Sequence, residues 1–224
     1  MCTARTKTVV TRDGVSLSVR DFGSADAART IVLMHGFCLD QRTWQHHAEE
    51  LVGANTRVIT YDHRGHGKSE QAPIATYTLP TLADDLADVL ARLNVCGEVT
   101  LAGHSMGGMT AMEYLATPRE IAPTGLVLVA TAAGKVATRG MGKVLSTPLV
   151  NVMRAGIPVV PERIIAAYSR AVLASTLRVS VRRAAYVHRH LAEHADVAAR
   201  AIAGTAYRTK IGFPYAINEF DAYA

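Results

Sequence analysis

Cysteine is scarce in this chain, and what there is (Cys2, Cys38 and Cys96) is odd in number and scattered. That excludes a disulfide-built scaffold and offers no metal-ligand spacing, so neither a metal nor a cofactor is expected. The expectation is reduced thiols in a cytoplasmic protein. Aromatic residues are also few, 6% with a single Trp. The basic part of the chain has few rings to stack on bases and no recognised motif, which argues against a nucleic-acid partner. No apolar run approaches the ~20 residues of a membrane span. Met1-Cys2-Thr3-Ala4-Arg5 lacks the apolar stretch of a secretion signal. Internal repeats and low-complexity tracts are absent as well.

What is present suits a globular protein: 224 residues, 49% hydrophobic and 19% charged, enough for one large or two small domains. The charge is divided. Residues 1–132 carry 11 Lys/Arg and 14 Asp/Glu, net −3, and residues 133–224 carry 13 and 5, net +8. The plain reading of the basic half is solvated helix faces, because its cations are interleaved with apolar residues. The sharper one is weak contact with an anionic membrane surface or an acidic substrate.

Apolar patterning divides the chain the same way. Lys7–Arg12 and Val15–Phe22 flank Asp13-Gly14, a hairpin signal. Ile31–Met34, Arg57–Tyr61, Val99–Ala102 and Leu126–Ala130 are short apolar runs suited to buried parallel strands. Between them, Gln41–Val52 reads as a helix turning Trp44, Ala48, Leu51 and Val52 inward. Leu82, Leu86, Val89, Leu90 and Leu93 recur at helical spacing, with Asp84, Asp85 and Asp88 outward. Alternating strands and helices predict an α/β fold with a mostly parallel sheet of about six strands. Residues 138–210 read as three or four helices, and the tail from Gly212 shows little periodicity.

The sharpest motif is Gly103-His104-Ser105-Met106-Gly107, placed between a strand and the helical segment Gly108–Leu115. With 17 Gly and 9 Ser in the chain, about 0.05 such matches arise by chance, so a mere glycine-rich turn is the weaker reading. Glycines on both sides leave Ser105 alone at the tip of a tight turn, the pattern of a nucleophile elbow. The free N–H groups of the new helix point at any oxyanion that develops there. Two more motifs sit at strand ends, where chemistry gathers in such sheets: His35-Gly36-Phe37 and Asp62-His63-Arg64-Gly65-His66-Gly67-Lys68-Ser69.

In this order the three motifs resemble the α/β-hydrolase superfamily, in particular its cap-bearing esterase, lipase and haloperoxidase-like branch, over about residues 7–132. The resemblance implies Ser105 as nucleophile, with the backbone N–H groups of Phe37 and Met106 as the oxyanion hole. It implies structural roles for His35, His63 and His66, and makes His104 a poor base. It divides the chain into the N-terminal part of a hydrolase core, 1–132, and a helical cap-like segment, 133–224. An acid and a histidine are expected after the elbow, following strands seven and eight, yet no such strands are evident. The only histidines after the elbow are His188, His190 and His194, in one Arg-rich stretch where helix packing is the plainer role. The reading is therefore a truncated serine hydrolase of small or lipid-like carboxylic esters, its apolar group covered by cap residues such as Val144, Leu149 and Ile164. The alternative is a non-catalytic binding module with a hydrolase-like pocket. Carbon–carbon hydrolysis, acyl transfer and perhydrolysis share the elbow and stay open, as do substrate identity and oligomeric state. A bare sixth-strand edge would invite pairing with a second copy.

Overall fold

The computed structural model describes residues 4–134 and 191–223. Among these, six strands form one sheet in the order β1-β2-β4-β3-β5-β6. They are β1 (Arg5–Val10), β2 (Ser16–Phe22), β3 (Arg29–Met34), β4 (Thr56–Tyr61), β5 (Glu98–His104) and β6 (Gly125–Val129). β1 and β2 form the expected hairpin, shifted one or two residues from the predicted bounds. Gly14 takes φ 88° at its turn, a conformation open to glycine. β2 pairs antiparallel with β4, and β4, β3, β5 and β6 run parallel. Parallel neighbours need crossovers; these are α1 (Gln45–Leu51), α2 (Leu79–Arg92) and α3 (Met106–Leu115).

Side chains alternate across the sheet. Val32 and Met34 join the larger core, with Leu17, Val19 and Leu101, beneath α2 and α3. Leu33, Ala102 and Val58 face the other way, toward Trp44 and Ala48.

Three sequence expectations change here. The segment from Gln41 is not one helix: a 3-10 turn spans Gln41–Trp44, capped by the Asp40 carboxylate, and α1 follows it. Leu51 lies outward at 44% exposure, beside an open trough of about 600 Å³ lined by Leu33, Trp44, His104, Val127 and Val129. Asp85 is not outward but buried, because Arg64 reaches it with two hydrogen bonds of 2.7 and 2.6 Å. A buried guanidinium needs such a carboxylate.

Two further helices are α4 (Leu191–Gly204) and α5 (Tyr207–Glu219). The tail expected to lack periodicity is thus helical through Glu219, with Pro214 inside α5. Its apolar residues do not form one stripe, yet Phe213, Ile217 and Phe220 enter the main core, so packing outweighs local propensity. After Phe220 the chain returns to the end of β6. Ala222 N–H donates to Ala133 C=O at 2.7 Å, and Asp221 bridges Gly134. The expected cap residues Val144, Leu149 and Ile164, with most of the 133–224 segment, lie outside the described residues. No described helix is long and apolar enough to cross a membrane.

Candidate active site

Ser105 stands where β5 gives way to α3, with φ 50° and ψ −115°. A non-glycine residue in such a conformation costs about 1–3 kcal/mol and persists only where the surroundings over-determine it. The surroundings do so here. The Ser105 N–H donates to Val129 C=O at 2.9 Å, and its C=O accepts from the N–H groups of Gly108 and Met109 at 2.9 and 3.1 Å. The Thr131 hydroxyl adds a third donor to that carbonyl at 2.7 Å.

The flanking glycines are sterically required. A Cβ on Gly103 would lie 2.3 Å from the Gly107 backbone, and one on Gly107 would lie 2.4 Å from Met34 C=O. The elbow therefore packs backbone against backbone, both on itself and on the end of β3. The loop after β3 then crosses the elbow: a Cβ on Gly36 would meet His104 Nδ1 at 2.6 Å. Phe37 is the next residue in that loop. Among the described residues no hydrogen bond engages the Ser105 hydroxyl.

Behind the loop sit three buried histidines. His35 Nδ1 meets Gly36 C=O at 2.8 Å, and His35 Nε2 accepts the His63 N–H at 3.0 Å. His66 Nε2 accepts the Cys38 N–H at 3.2 Å. His35 and His66 thus tie the two loops together as neutral rings. His63 is packed edge-on against His35 and Tyr61, and among the described residues neither of its ring nitrogens has a hydrogen-bond partner. Burial pushes all three below the ordinary histidine range. Burial also pushes the Cys38 thiol up to about 12, so it is inert as a nucleophile. His104 is half-buried, its pKa lowered by burial.

The sequence does not single out the contacts that reach this loop from the C-terminal helices. Thr205 Oγ1 donates to Cys38 C=O at 3.1 Å, and Thr209 Oγ1 to Gly65 C=O at 2.9 Å. Phe213 stacks on Tyr77 with centroids 4.7 Å apart and touches the rings of Phe37 and His66. Nothing in their spacing marks them; only the fold brings residues some 140–170 positions apart together. Thr131 could have been found, since it lies two residues past the end of a parallel strand. His188 and His190 lie outside the described residues, and His194 lies on α4. No metal-ligand group occurs among the described residues.

Comparison with known proteins bears on the family and the fold. The sequence profile of the family described as "Serine aminopeptidase, S33" matches residues 25–210. The chain is 41% identical over 106 residues to the non-heme chloroperoxidase CPO-A1 of Kitasatospora aureofaciens, a stretch covering 47% of this chain and 36% of that protein. It is 36% identical over 108 residues to a bifunctional esterase/perhydrolase of Acinetobacter calcoaceticus, covering 48% and 38%. The chain thus spans less than half the length of these curated relatives. Among solved structures, an esterase from Exiguobacterium antarcticum superposes with a TM-score of 0.75 at 22% identity, covering 98% of this chain and 75% of that one. At that identity the likeness bears on the fold.

Proposed function

Since the chain belongs to this S33 family of α/β hydrolases, we propose that it hydrolyses carboxylic esters through an acyl-enzyme on Ser105. The observation that carries this reading is the Ser105 backbone, held at φ 50° between two glycines that tolerate no side chain. In the proposed reaction Ser105 Oγ attacks the acyl carbonyl carbon, and the carbonyl electron pair moves onto oxygen. The N–H groups of Met106 and Phe37 receive that oxyanion. Its collapse breaks the bond to the alcohol, which leaves with a proton, and water then releases the acid and restores the hydroxyl. The hydroxyl proton passes to a base, for which His188, His190 and His194 are the candidates within the sequence, though helix packing is their plainer role. The substrate class is small or lipid-like esters. Support for ester chemistry comes from a relative that is an esterase/perhydrolase.

A second reading, a hydrolase-like pocket that binds without turnover, is favoured by the lack of any hydrogen bond to the Ser105 hydroxyl among the described residues. Intact-mass detection of a fluorophosphonate adduct separates the two. The expected result is one adduct that disappears in Ser105→Ala and after heat denaturation. Folded protein that stays unlabelled sinks the esterase reading and leaves the binding module.

A further inference from the structure

Resting on Ser105 as the nucleophile, we infer that Thr131 is a positioning residue that aims the Met106 N–H at the oxyanion. The argument begins with the peptide between Ser105 and Met106. It is planar, so its C=O and its N–H point in opposite directions and turn together. Whatever fixes the Ser105 oxygen therefore fixes the Met106 N–H. Two of the three donors to that oxygen, Gly108 N–H and Met109 N–H, belong to the first turn of α3 and move with it. The third is the Thr131 hydroxyl, at 2.7 Å the shortest of the three, and it comes from the far side, beyond β6. It ties the peptide plane to the sheet rather than to the helix.

The local backbone is built to deliver that hydroxyl. Ala130 has φ 45°, a left-handed conformation uncommon for a residue with a side chain, and it turns the chain at the end of β6 back toward the elbow. The Thr131 methyl then lies against Gly108, where a Cβ would stand 2.7 Å from Thr131 Cγ2. The two branches of one side chain thus do separate work. The methyl group fills the space over Gly108, and the hydroxyl holds the Ser105 carbonyl.

This separation supplies the test. Thr131→Val keeps the methyl packing and removes the donor; Thr131→Ser keeps the donor and removes the methyl. With fluorophosphonate, Thr131→Val is expected to slow Ser105 labelling about ten-fold, in line with the cost of a misplaced oxyanion donor, whereas Thr131→Ser stays within about three-fold of wild type. With an ester substrate the loss falls on kcat and leaves KM in place, because the oxyanion exists only beyond the ground state. Hydrogen exchange over Gly103–Met109 gives a readout independent of chemistry: Thr131→Val speeds it and Thr131→Ser does not. Equal labelling and equal exchange for Thr131→Val and wild type overturn the inference. If wild type is never labelled, the nucleophile reading fails by itself. Exchange then decides whether Thr131 holds the peptide.

Discussion

At the scale of single residues, the site is set by what two backbones can tolerate. Gly103→Ala and Gly107→Ala each place a Cβ within 2.4 Å of backbone atoms. No flexible side chain can give way there, so both variants should lose folded protein, as read by thermal melting, while Gly14→Ala, with open space around it, loses only the cost of its positive φ. The buried histidines make a different claim. His35, His63 and His66 have folded pKa values below the ordinary 6.5, with burial the first cause in each. As pH falls through 6.5 the unfolded chain takes up protons that the folded one refuses, so stability is full above 6.5 and declines below it. Each histidine adds up to about 1.4 kcal/mol per pH unit to that decline. Denaturant midpoints at pH 7.5 and pH 5.5 measure it, and equal midpoints would contradict neutral burial. The resemblance to α/β hydrolases implies structural roles for these three residues. It does not show that His63 makes no hydrogen bond through its ring, because that depends on which neighbours the fold supplies.

At the scale of elements, α5 differs most from what the sequence suggests. Its residues lack a clean 3.6-residue period and include Pro214, so a periodicity argument passes over it. Phe213 and Ile217, with Phe220 just past its end, nevertheless carry it into the core, and Phe213 is fully buried between Tyr77 and Phe37. Phe213→Ala should cost about 3–5 kcal/mol, the usual penalty for emptying a buried aromatic site. It should also slow Ser105 labelling, since the Phe37 loop loses a wall. Unchanged labelling with lowered stability would confine α5 to packing. The strands were the legible elements: short apolar runs such as Ile31–Met34 fall inside the observed β3 and need only small corrections at their ends. α2 was legible in its leucines but not in Asp85, because a buried carboxylate is recognisable only once its arginine is known.

At the scale of the whole molecule, the two edges of the sheet formed by the described residues are unlike. β1 presents Arg5 and Lys7, both paired with Asp21, and charge at an edge discourages further pairing. β6 presents Leu126, Val127, Leu128 and Val129, each at least 40% exposed and none charged. Val127→Lys should therefore reduce self-association, measured by light scattering against concentration, and an unchanged profile would place the sticky surface elsewhere. The order of motifs made the architecture readable, since each ends a strand and the strands must lie side by side. The meeting of Gly134 with Asp221 was not readable, because it joins positions 87 residues apart. That meeting has an evolutionary consequence. The chain leaves the sheet at Gly134 and rejoins its end at Asp221, so the length between those positions can drift while strand register stays fixed. Lengthening a closed loop costs only about 0.6 kcal/mol per doubling. Descendants of one scaffold can thus differ widely in that interval and leave the backbone packing of the elbow unaltered.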